Sequence, residues 1–329
     1  MKKAYIYIAL ATLIISTMEI SGRVLSQTLN PTQINFWRFL IGSVILMPMT
    51  FVDLRKRGVR LGRSDILFLI ATGFVGMAVS MELFQMALAT AKASVVAVIA
   101  SCVPICVIPF ARVFLKEKLT VRTALAMALS TLGVLSILNP FDLDPETTGI
   151  TLAIGEVVTF ALYNVMGKRQ ADRCGGLAVS CLSMFSGAAI LGVMILLSYV
   201  VPAPAAGGLF SQFYRIPLFE GVDSGNILNL LYFSVVGTGL LYALLFLAME
   251  ATTATIGSVV FFFKPALAPI FAWMMLGESI SGRVLAGIAL IVCGASFVLN
   301  PTRAPAAANA GRDVALAPIG RGWAETPAE

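Results

Sequence analysis

Residues 93–140 read ASVVAVIASCVPICVIPFARVFLKEKLTVRTALAMALSTLGVLSILNP, and residues 254–301 read ATIGSVVFFFKPALAPIFAWMMLGESISGRVLAGIALIVCGASFVLNP. Laid over each other without a gap, at an offset of 161, 14 of the 48 positions are identical. Matches of Ala and Leu are cheap between apolar helices. Matches of Pro104 with Pro265, Glu117 with Glu278, Arg122 with Arg283, Gly133 with Gly294 and Asn139-Pro140 with Asn300-Pro301 in one register are not. The chain is therefore an internal duplication, and its architecture follows from the repeated unit.

Working outward, the 329 residues are 58% hydrophobic and only 12% charged, and mean hydropathy is +0.91. A soluble domain carries about twice that share of charge. Apolar runs long enough to cross a ~30 Å hydrocarbon core occur at roughly 4–25, 34–52, 65–87, 93–114, 121–138, 149–167, 177–201, 226–249, 255–276 and 282–299. Turn signals separate them: Asn30-Pro31, Gly58, Asn139-Pro140, Gly175-Gly176 and Asn300-Pro301. The expectation is an all-α polytopic membrane protein with ten transmembrane helices. The repeats are 4–140 and 149–301, and the Ala/Pro-rich tail 302–329 reads as disordered. Lys2-Lys3 followed by an apolar run is read as an uncleaved first helix, because no A-x-A-like site closes it.

Five helices per unit is an odd number, so the second copy enters from the opposite side and the two halves are inverted. Charge agrees. With the N-terminus inside, 16 Lys and Arg fall on inside segments and four (Arg23, Lys92, Arg215 and Arg283) on outside ones. That bias places both termini in the cytoplasm. The loop 202–225 is then the long external connection, and its Phe210, Phe213, Tyr214 and Phe219 suit the membrane surface. Inverted repeats place a solute near the midplane between the halves and move it by alternating access.

The remaining counts exclude chemistry. No histidine is present, which removes Ser-His-Asp triads, HExxH zinc sites and histidine proton shuttles. The five cysteines form no CxxC, and Cys102 and Cys106 read as small buried residues. No metal or other cofactor is expected. The net charge of +6 sits in short loops, so nucleic acid is not an expected partner.

Charges inside spans are the candidate site residues. Lys264 lies near the midplane of the ninth span, beside Pro265, and its repeat-mate is Val103. A lysine at that depth needs a counter-charge or an anionic solute group, and Glu156 in the sixth span is nearest in depth, with Tyr163 and Asn164 following on the same helix. Glu19, about 22 Å along the first helix, and Glu82 are the other carboxylates at cavity depth. Arg38 and Arg23 share that level, so one reading is a cluster of the two carboxylates with up to two arginines on the outer side of the first half; in the other, Arg38 and Arg23 are end residues near the outer interface. Glu117 and Glu278 read as structural anchors bonded to neighbouring helix ends. The residue before each differs (Lys116 against Gly277) and so reads as unconstrained.

An apolar helix with a central proline, a helix end reading L-x-E (Leu115-Lys116-Glu117 and Leu276-Gly277-Glu278) and a last helix closing on Asn-Pro resemble the EamA unit. Two such units over residues 4–301 resemble the drug/metabolite transporter superfamily. The resemblance implies a ten-helix exporter of small metabolites, often amino acids. It implies a cavity lined by the first four helices of each half, with the fifth and tenth helices outside it. No GxxxxGK[ST] loop is present, so transport would run on a gradient, and protonation of Glu19, Glu82 or Glu156 is the visible coupling device. The alternatives are a passive channel, a sugar-phosphate or nucleotide-sugar type of carrier, which would want more cavity cations, and a membrane-embedded enzyme, for which no catalytic set appears. The expected partners are a small-molecule solute, the lipid bilayer and protons, in a bacterial inner membrane.

Overall fold

The computed structural model describes residues 2–91, 96, 99–117, 121–138, 147–200, 212–261 and 282–299. Within these the chain is helical: α1 (Lys2–Leu25), α2 (Pro31–Arg57), α3 (Arg63–Thr90), α4 (Val103–Phe114), α5 (Val121–Leu138), α6 (Thr147–Cys174), α7 (Gly176–Ser198), α8 (Ile227–Ala251), α9 (Ala254–Ser258) and α10 (Gly282–Leu299). Six of them (α1, α2, α3, α6, α7 and α8) are long and apolar enough to cross a membrane.

Local chemistry sets the boundaries. Asn30 caps α2 by accepting from the Thr32 N–H, with Gln33 reaching back to the Asn30 N–H and Pro31 opening the helix. Gly58 closes it in the left-handed conformation, φ 65°. Helix α6 runs on to Cys174, past the expected end near residue 167, so Lys168, Arg169 and Arg173 are helical rather than loop residues. The break comes instead at Gly175, φ 92°, a conformation glycine adopts without cost. The expected fourth span is interrupted by a turn at Ser101-Cys102, and Pro104 lies in the first turn of α4 instead of at a helix centre. Proline lacks the N–H a helix interior requires but fits the first turn.

Packing follows a regular pattern. Helix α2 lies along α7, α5 along α10, α1 along α8, and α3 along α6. The set is unchanged when each helix is exchanged with the one five places further on. A π-helical turn interrupts α3 at Phe74–Ser80, and another interrupts α8 at Val235–Leu240. The two begin 161 residues apart, the same offset as the repeat, and Gly76 falls over Gly237. Small residues permit the close approaches. A Cβ on Gly42 of α2 would lie 3.1 Å from the Ser234 carbonyl of α8, and one on Gly133 of α5 would lie 2.7 Å from the Gly287 carbonyl of α10.

The polarity is that of a protein solvated by hydrocarbon. Leu67, Val113, Leu196 and Leu228 are at least two-thirds exposed, while Asn35, Arg38, Gln85, Asn164 and Ser180 are fully buried. The segment after residue 211 is seated on the start of α2. Asn30 Nδ2 donates to the Gln212 carbonyl, Gln33 Nε2 to those of Leu218 and Glu220, and Trp37 Nε1 to Leu218. Phe219 leans on Trp37, ring centroids 5.3 Å apart, and stays exposed. Phe210 and the tail 302–329 lie outside the described residues.

Candidate functional site

A small cavity lies where α1, α3, α6 and α8 converge. Its wall includes Ile15 and Met18 of α1, Met81 of α3, Glu156 and Phe160 of α6, and Tyr242 of α8. Space for water centres is about 20 Å³, enough for one water and far too little for an organic solute. Among the described residues Glu156 is the one carboxylate on this wall, and it is buried. Phe160 and Asn164 follow it at intervals of four, so the three share one face of α6. The Asn164 side chain is fully buried, and neither its Oδ1 nor its Nδ2 has a hydrogen-bond partner among the described residues.

An aromatic cluster backs the cavity. Phe160 meets Tyr163, Tyr242 and Phe261 at centroid distances of 5.5, 6.1 and 5.4 Å, and Tyr163 meets Phe246 at 5.3 Å. Tyr163 lies over Gly76 of the π turn and shares a hydrogen bond with Ser183 of α7, 3.1 Å. It is a packing element beside the cavity and not part of the wall.

Glu82 and Arg38 form a second polar group, behind the wall. Thr32 Oγ1 donates to Glu82 Oε1 and Asn35 Nδ2 donates to Glu82 Oε2 at 2.7 Å, so the carboxylate ties α3 to α2. Asn35 also donates to the carbonyl of Met81, a wall residue, at 3.1 Å. One turn on along α2, Arg38 is fully buried. Of the two readings of Arg38, an end residue turned to the interface or a member of a cluster with Glu82, its burial fits the second. The hydropathy of a span gives depth but not which way a side chain faces, and here it faces protein. The guanidinium carbon lies over the rings of Phe39 and Phe233, 4.5 and 4.9 Å from their centroids, and none of the group's three nitrogens has a hydrogen-bond acceptor among the described residues. It lies within electrostatic reach of Glu82 and Tyr242. Arg23 does behave as an end residue, donating to the carbonyls of Leu88 and Ala91 at the end of α3. The side chain of Glu19, and Lys264 with Pro265 and Glu278, lie outside the described residues.

One end of the bundle carries a separate polar lattice. Arg57 pairs with Asp53 and with Glu250, both at 2.7 Å, and Glu250 Oε2 accepts from the Gly176 N–H at 2.6 Å. Lys168 pairs with Asp172 at 2.6 Å and donates to the carbonyls of Met249 and Thr252, closing the end of α8. Glu117 accepts from the Ala254 N–H and the Thr255 hydroxyl, each at 2.8 Å, and from the Thr255 N–H at 3.4 Å. It thus bonds the start of α9, the role expected of it. Lys116 adopts a left-handed φ of 55°. The position before the glutamate is therefore not unconstrained: it favours glycine, the residue at position 277 of the other repeat.

A chain with six helices long and apolar enough to cross a membrane, an apolar exterior and buried polar groups is an integral membrane protein. The EamA-like transporter family matches it twice, over residues 2–139 and 147–300, and the chain belongs to that family. It is 35% identical to an uncharacterized transporter of Clostridium kluyveri, over 89% of this chain and 92% of that one. The uncharacterized transporter YoaV of Bacillus subtilis is 23% identical, over 89% and 96%. A solved crystal structure superposes with a TM-score of 0.68, at 18% identity, over 91% of this chain and 97% of that one, a likeness of fold.

Proposed function

We propose that the protein is a secondary transporter that exports a small organic metabolite, an amino acid or a related solute, by alternating access. Ten transmembrane helices form two inverted five-helix repeats, with both termini in the cytoplasm of a cell whose inner membrane holds the protein. The observation that carries this reading is the cavity where helices of both repeats meet, with the buried carboxylate of Glu156 on its wall. The exchange symmetry of the packing and the matched π turns support the inverted repeat. Space for one water describes a closed state, and a solute enters only when the repeats move apart.

In this reading Lys264 and Glu156 form the charged pair of the cavity, with Asn164 below them and Glu19 and Glu82 toward the outer side. A proton on Glu156 is the coupling device. A proton, a solute amine or the lysine neutralises its charge. The test is flux from proteoliposomes loaded with labelled amino acids, with and without an imposed pH gradient. Wild-type efflux should accelerate with the gradient, Glu156→Gln should uncouple it, and Lys264→Met should abolish it in a folded protein. Efflux equal to that of empty liposomes, for every solute tried, would remove the transport reading.

A further inference from the structure

We propose that Arg38 anchors a carboxylate of the transported solute, an inference that rests on the transport reading above. The guanidinium is fully buried, yet its nitrogens meet no acceptor among the described residues. Buried donors are nearly always satisfied, and an unpaired buried cation destabilises the fold that holds it. The rings of Phe39 and Phe233 lie 4.5 and 4.9 Å from the guanidinium carbon, and neither supplies an oxygen or nitrogen acceptor to the N–H donors. A planar fork of donors is complementary to a carboxylate, which accepts two parallel hydrogen bonds from it.

Glu82 acts on Arg38 only at a distance: its oxygens accept from Thr32 and Asn35, and no hydrogen bond or ion pair joins it to the guanidinium among the described residues. The geometry also connects Arg38 to the cavity. Asn35, one turn before Arg38 on α2, donates to the carbonyl of Met81, a wall residue, and Tyr242 lines the same wall. Its hydroxyl rests 3.0 Å from the sulfur of Met81, the neighbouring wall residue. Separation of Tyr242 from Met81 as the repeats move would open a path from the cavity to the guanidinium. A solute carboxylate would then supply the missing acceptors, and the exposed amine of the same solute would face Glu156.

The full-length protein in proteoliposomes, loaded with a deproteinised bacterial metabolite extract, tests this whatever the solute is. Mass spectrometry identifies what leaves. Solutes released by the wild type should carry a carboxylate. Arg38→Met should lower their efflux about 10- to 100-fold, the loss expected for one charge-assisted interaction, while its unfolding temperature in detergent stays at or above that of the wild type. Released solutes without a carboxylate, or wild-type efflux by Arg38→Met, would overturn the proposal and leave transport standing. Release of nothing by the wild type would remove transport itself, and the proposal with it. If Arg38→Met does not fold, Arg38→Lys decides. It keeps the charge and loses the planar fork, so KM for the released carboxylate should rise at least several-fold, and an unchanged KM overturns the assignment.

Discussion

Replacing Glu117 by alanine should loosen the join between the two repeats by an amount the geometry sets. The carboxylate accepts two hydrogen bonds of 2.8 Å, from the Ala254 N–H and the Thr255 hydroxyl, and a longer one from the Thr255 N–H. Ala254 is fully buried, so its N–H has no ready access to water once the acceptor is gone. A hydrogen bond to a charged group contributes about 1.5–3 kcal/mol. The bonds share one side chain and are not additive, so the truncation should cost about 2–4 kcal/mol. An unfolding entropy of about 2.1 cal/mol/K per residue over 329 residues gives roughly 0.7 kcal/mol per kelvin, and the apparent Tm in detergent should fall by about 3–6 °C. Glu117→Gln keeps one acceptor oxygen and should lose about half as much. Thr255→Val removes only the hydroxyl bond, and the double variant with Glu117→Ala should lose about 1 kcal/mol less than the sum of the single changes. A Glu117→Ala protein melting within 1 °C of wild type, or strict additivity of the pair, would refute the reasoning.

Other consequences follow from single contacts. Lys116→Gly should leave stability unchanged or raise it by up to ~1 kcal/mol, since φ is 55° there; a lower melting temperature would contradict this. Gly76→Ala would put a Cβ 2.1 Å from the buried ring of Tyr163 and should cost about 1–3 kcal/mol through overpacking, measured by thermal unfolding and relieved by Tyr163→Val. Lys168→Met should cost about 2–3 kcal/mol, because the Thr252 carbonyl loses its lysine donor and the Met249 carbonyl keeps only the Thr252 N–H; melting unchanged from wild type would show that water replaces the lysine. For orientation, an impermeant thiol reagent on intact cells should label Ser224→Cys and spare Lys56→Cys, with Cys293 replaced by Ser in both. The reverse pattern would invert the topology.

Helix placement is largely legible in the chain itself, because apolar run length and turn residues act locally. The ends of α1, α2 and α5 fall within a few residues of where the pattern puts them. Two local readings fail where tertiary contacts intervene. Lys168 and Arg173 extend α6 because α8 and Asp65 supply their partners, and hydropathy cannot register a charge that is paired. Arg38 faces protein where an end residue would face the headgroups, for the same reason: depth along a span is readable, and orientation is not.

The duplication, the helical class and the role of Glu117 are all readable without coordinates, since a repeated Pro, Glu and Asn-Pro in one register and an excess of apolar residues are properties of order and composition. The π turns at Phe74–Ser80 and Val235–Leu240, the meeting of four helices around Glu156, and the placing of Arg38 over the rings of Phe39 and Phe233 are decided only by folding. They depend on which faces of distant helices close on each other. That choice is made by packing small residues such as Gly42 and Gly76 against particular partners, and nothing in a linear pattern specifies the partner.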